Sequence, residues 1–122
     1  LAARSIERIA DHAKRIADNS KQIKEKTSID NKIVETGNKA LEVFDGAVNA
    51  IYRRDMKNAH KIVDKSKELH KHIEKFQEEI LNLKKVKVET IVSLIYILDS
   101  LDRTRGYAED IAETAINHCF VA

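Results

Sequence analysis

A chain of 122 residues with 34% charged and 43% hydrophobic residues, no proline and three glycines suits long, charged helices joined by short turns. It is long enough to bury a core as one domain without disulfides or metals. An aromatic content of 5% argues against a β-sandwich and against a base-stacking nucleic-acid platform, and a net charge of +2 does not by its total demand DNA or an anionic membrane.

The first helix is expected over residues 1–26, where Ile6, Ile9, Ala13, Ile16, Ser20 and Ile23 recur at alternating spacings of three and four and form one bundle seam. Thr27 followed by Asp30 reads as a capping box with Asp in place of Glu, so the chain stops and restarts there. The second helix is expected over 29–53. Its seam is Val34, Gly37, Leu41, Phe44, Val48 and Ile51, widened by Ile33, Ala40 and Ala47. Gly37 and Gly46 each cost about 1 kcal/mol relative to Ala inside a helix. One of them could be kept for the close approach of a neighbour, or both could simply be tolerated.

Asp55 is the expected N-cap of a third helix over 56–82, with the seam Ala59, Ile62, Ser66, Leu69, Ile73, Phe76 and Ile80. The last helix is expected over 87–117, along Leu94, Ile97, Leu101, Thr104, Ala108, Ile111 and Ala115, with fraying beyond Asn117. These four elements and their short turns predict an all-α, antiparallel up-down four-helix bundle. The longest apolar region, Ile91 to Leu98, is far shorter than the ~20 residues of a membrane span. Arg4, Glu7 and Arg8 interrupt any leader-like apolar run. The single cysteine, Cys119, cannot pair within the chain, which points to a reducing, cytoplasmic setting.

The chain also repeats itself. Residues 5–18 match residues 100–113 without a gap, with identities at Ser5/Ser100, Arg8/Arg103, Ala13/Ala108, Ile16/Ile111 and Ala17/Ala112. Ile6/Leu101, Glu7/Asp102 and Asp18/Glu113 keep their chemistry, so the chain reads as an internal repeat with an offset of about 95 residues.

Glu7 and Asp11 stand one helical turn apart, just outside the expected seam. Two such carboxylates can share a hard or borderline cation, and water or further carboxylates must complete the site. Asp102 takes the place of Glu7 in the second copy, but its partner position holds Gly106. The alternative is a solvated acidic face.

The stretch Ser5-Ile6-Glu7-Arg8-Ile9-Ala10-Asp11-His12-Ala13 resembles the signature helix of the PhoU family, which carries a Glu/Asp-x-x-x-Asp motif. Residues 55–69 resemble the family's helix with an Ala…Asp…Leu pattern. The resemblance implies two tandem three-helix repeats, with 1–26 as the last helix of the first repeat and 29–117 as the second. It implies a cytoplasmic regulator of phosphate uptake and phosphate signalling, with the phosphate ABC transporter or its sensor kinase as partner. It carries Glu7, Asp11 and Asp102 over as metal ligands for a divalent Fe, Mn, Zn or Mg ion, with Gly106 departing from the motif.

Self-association is also expected, because the first helix leaves part of its apolar face open. Membrane contact is expected to be peripheral at most. Two further readings compete: an effector or dimerisation domain of a DNA-binding regulator, and a purely structural helical oligomerisation module. No direct nucleic-acid contact is expected.

Other polar groups are read more plainly. His60, Asp64, Glu68 and His72 form an i,i+4 ladder that drifts around an outer, lysine-rich face. His12 is expected on the surface. His118 and Cys119 are expected to be a spare pair. There is no Gly-x-Ser-x-Gly, phosphate-cradling loop or Cys-x-x-Cys, so enzyme activity is not expected.

Overall fold

A computed structural model describes residues 2–121, with side chains as far as Asn117. Four helices follow one another: α1 (Ala2–Gln22), α2 (Asp30–Arg53), α3 (Met56–Leu81) and α4 (Val88–Val121). They run up, down, up and down, as cross-helix pairs show: Lys32 with Glu79, His70 with Asp102, and His12 with Ser100. Every predicted helix is present. The first ends at Gln22 rather than 26, and the last continues past 117 to Val121.

The helix ends have local causes. Near the end of α1, Asn19 Nδ2 and the Ser20 hydroxyl donate back to the carbonyls of Arg15 and Ile16, competing with the helical ladder. Only half of the capping box forms at the start of α2. Asp30 accepts from the Thr27 N–H at 3.1 Å, but the Thr27 hydroxyl donates to the other Asp30 oxygen at 2.6 Å and accepts only from the N-cap Ile29 N–H, at 3.4 Å. Asp55 caps α3 as expected, accepting from the Asn58 N–H at 3.1 Å. Glu25 comes from the distant α1–α2 connection and accepts from the Lys87 N–H at 2.9 Å and the Thr90 hydroxyl at 2.7 Å, tying that connection to the start of α4.

Helix α4 is the axis of the molecule. α2, α3 and α4 pack against one another, whereas the backbone of α1 neighbours α4 alone. Surrounded in this way, α4 buries Leu94, Ile97, Leu98, Leu101, Ala108, Ile111, Ala112 and Ala115. A large aliphatic side chain fully buried contributes about 1.5–3 kcal/mol. The α3 seam is as predicted, except that Val63 is buried in place of Ile62.

The faces of α1 and α2 are turned from those expected. In α1 the inward line is Ala2, Ser5, Ile9, His12, Ile16, Asn19 and Ile23, a strict alternation of three and four. His12 lies at its centre and is 7% exposed, contrary to its expected surface position. It is satisfied there by Ser100 Oγ at 3.3 Å. Ile6, Ala13 and Ser20 of the expected seam face outward, with Ile6 45% exposed. In α2 the buried line is Thr36, Ala40, Val43, Ala47 and Ala50. Val34 and Leu41 lie outside it at 61% and 55% exposed. Small side chains let α2 sit close to its neighbours. Gly46 is the tightest point, since a Cβ there would stand 2.9 Å from Ile62 Cγ1, whereas one at Gly37 would meet only Leu101 Cδ2 at 3.9 Å.

Candidate functional site

The repeated stretches 5–18 and 100–113 pack against each other as antiparallel partners. Counterpart positions meet near the middle, where the rings of His12 and Tyr107 are 6.0 Å apart. Arg8 lies over the Tyr107 ring at 5.8 Å, a cation–π contact. Burial lowers the His12 pKa from its ordinary 6.5, and the positive charges of Arg15 and Arg103 lower it further, against opposing contributions from Asp99 and Asp11. Neutral imidazole is therefore the form that suits this interface.

Glu7 and Asp11 project from the opposite side of α1. Both are exposed, and with Arg4 and Arg8 they line one shallow groove. The pair has the spacing for one cation, with two basic side chains beside it. Among the described residues no group of three or more His, Cys, Asp or Glu side chains is placed to hold one metal ion. Glu7 and Asp11 thus fit an open site completed by water and do not form a closed cage.

Asp102 is not brought to that groove. It is turned toward α3, where its Oδ1 is 2.8 Å from His70 Nδ1 and accepts from Arg105 Nε at 2.8 Å. The same guanidinium donates through Nη1 to Ser66 Oγ at 2.9 Å and to Glu109 Oε1 at 3.2 Å. Ser66 in turn donates to the Arg105 carbonyl at 3.3 Å. His70 also faces Glu74 at 3.3 Å. The result is an interhelical network with Arg105, 12% exposed, at its centre. A cation at Asp102 would have to compete with Arg105 and His70. Gly106 opens onto unfilled space beside this network. Asp110, on the rim of the same groove, has its pKa raised by burial and by Glu109, partly offset by Arg105.

Sequence reasoning did not single out His70, Arg105 or Glu109. One signal was available: Ser66 interrupts an otherwise apolar α3 seam, and a fully buried hydroxyl needs a partner. The His60–His72 ladder lies on exposed turns of α3, with Glu68 and His72 at a groove that α2 lines with Lys39 and Glu42. His118 and Cys119 lie outside the described side chains.

The model of the PhoU domain family matches residues 33–115, more than half of the chain. The chain belongs to the PhoU family. The matched range takes in most of α2, all of α3 and α4 as far as Ala115. It is therefore the mutually packed three-helix unit that carries the match, and the signature-like helix α1 lies outside the matched range. Comparison with curated proteins and with solved structures returned no match. Among the described residues, no helix of this PhoU-family chain is long and apolar enough to cross a membrane.

Proposed function

We propose that the chain is a regulatory adaptor of phosphate uptake and phosphate signalling, acting by protein binding along its helical faces. The observation that carries this reading is the PhoU-domain match over residues 33–115, a family whose domain marks regulators of phosphate uptake. The partners that follow are the phosphate ABC transporter and its sensor kinase, and the setting is the cytoplasm. The grooves at Glu7/Asp11 and at Asp102 are open surface depressions, suited to contact with a macromolecule; no catalytic role is proposed for them.

Within this reading, α1 is the closing helix of one three-helix repeat and α2–α4 are a complete second repeat. Burial at counterpart positions supports it. Leu101, Ala108 and Ala112 of α4 are buried, while their counterparts Ile6, Ala13 and Ala17 on α1 lie open to solvent. Glu7 and Asp11 are the residues we propose to hold a divalent ion, which would neutralise the acidic pair and present a changed charge to a partner. Asp102 would join only by giving up its bond to Arg105.

The test is direct binding of the purified chain to the detergent-solubilised phosphate transporter and to the cytoplasmic portion of the sensor kinase, at high and at low phosphate. Micromolar or tighter association with either is expected. Failure with both, under conditions where each partner is active, would sink the adaptor reading.

A further inference from the structure

The net charge of the chain is +2, but it is not evenly spread. The up-down topology brings the end of α1, the start of α2, the end of α3 and the start of α4 to one pole of the bundle. Two connections form that pole, residues 21–28 and 81–88, held together by Glu25 through its bonds to Lys87 and Thr90. They contain six lysines, Lys21, Lys24, Lys26, Lys84, Lys85 and Lys87, and a single carboxylate, Glu25. All six lysines are exposed, and none forms an ion pair among the described residues. Glu25 is spent on the start of α4, Asp30 is turned onto Thr27, and Glu79 is taken by Lys32 at 3.0 Å. Glu78, in the last turn of α3, and Glu89, in the first turn of α4, are exposed and flank this pole, where the six lysines outnumber them.

Two aliphatic side chains stand among these lysines with no cover: Leu81 at 65% exposed and Val88 at 70%. They border the α3–α4 connection on either side. We infer that this pole is a docking surface for an anionic lipid membrane, with the lysines drawn to the headgroups and Leu81 and Val88 entering the interface. The pairing of exposed lysines with bare aliphatics is what selects lipid. A phosphate backbone gains nothing from Leu81 and Val88, and bases need aromatic platforms, which the two connections lack. The cations are also all lysine, while every arginine of the chain lies elsewhere. Lysine acts as a point charge suited to diffuse attraction by a charged surface, whereas bidentate phosphate recognition favours arginine. Clustered lysines with a modest apolar contribution give reversible, salt-sensitive attachment. The inference does not rest on the phosphate-regulator reading.

Co-sedimentation of the chain with vesicles tests it, comparing phosphatidylcholine alone with phosphatidylcholine containing phosphatidylglycerol, at low and high salt. Binding is expected only to the anionic vesicles and is expected to weaken as salt rises. Three variants separate the contributions. Lys84→Gln/Lys85→Gln/Lys87→Gln should weaken partitioning by about 100-fold, from the energy of each lysine near an anionic surface. Leu81→Ser/Val88→Ser should weaken binding at every salt concentration while leaving its salt slope unchanged. Lys57→Gln/Lys61→Gln/Lys65→Gln removes the same charge from the other half of α3 and should leave binding close to wild type. Circular dichroism of each variant confirms the fold. Equal binding to neutral vesicles, equal loss in the Lys57/Lys61/Lys65 variant, or binding to duplex DNA without binding to vesicles would each overturn the assignment.

Discussion

Replacing Arg105 by Met tests whether the α3–α4 network holds the bundle together. Met keeps most of the apolar stem and removes the guanidinium. The guanidinium is 12% exposed and is shared by Asp102, Glu109 and Ser66 at 2.8, 3.2 and 2.9 Å. Its loss leaves two carboxylates, 23% and 19% exposed, without their common cation. Breaking a fully buried pair from one side costs about 3–5 kcal/mol. Both acids keep some access to water, and His70 remains beside Asp102, so about 2–3 kcal/mol is expected here. For a chain of this size that corresponds to a fall in Tm of roughly 8–12 °C. The assay is urea unfolding followed by circular dichroism. Removing the Lys32–Glu79 pair, whose side chains are 57% and 52% exposed, gives the reference, with a cost of about 0.5 kcal/mol or less. Adding Asp102→Asn to the Arg105→Met variant should recover part of the loss, because one unpaired acid is then removed. If Arg105→Met behaves like the exposed pair, the network is not an organising element and the reasoning fails.

Three other outcomes follow from the packing. Because the folded-state pKa of His12 lies below 6.5, the unfolded chain takes up a proton that the folded chain resists, so its contribution is complete above about pH 6.5 and declines as pH falls below that value. Stability should fall as pH drops below about 6.5, by at most ~1.4 kcal/mol per pH unit, with amide exchange in α1 rising first, and His12→Gln should flatten that slope. Gly37→Ala should stabilise by up to about 1 kcal/mol, whereas Gly46→Ala should destabilise by about 1 kcal/mol until Ile62→Ala makes room; thermal melts of the three variants decide it. Glu25→Ala should free the α1–α2 connection from the start of α4, seen as faster amide exchange at Lys87 and at Ile23 with little change in α3.

The number of helices, their order and the Asp55 cap could be read in the sequence because they depend on local signals: alternating spacings of three and four, and a side chain that bonds three residues on. The orientation of α1 and α2 could not. In α1 the apolar line through Ile6, Ala13 and Ser20 looks more hydrophobic than the line actually buried, which includes Ser5, His12 and Asn19. His12 is tolerated inside only because Ser100, far away in the chain, meets it. In α2 the buried residues are small, since α3 and α4 approach closely, and the larger Val34 and Leu41 are left outside. The placement of Glu7 and Asp11 on an open face followed from their spacing. Asp102 differed because α3 packs beside it and His70 meets its carboxylate, while Arg105, where the counterpart on α1 is Ala10, supplies a second partner from α4 itself.

The most direct measurement for the functional reading is calorimetric titration of Mn(II), Fe(II) and Zn(II) into the wild-type chain and into Glu7→Ala/Asp11→Ala. Micromolar binding that disappears in the double variant is expected, placing the ion on the outer face of α1. Binding no stronger than the variant's background would contradict a metal-responsive surface at Glu7 and Asp11.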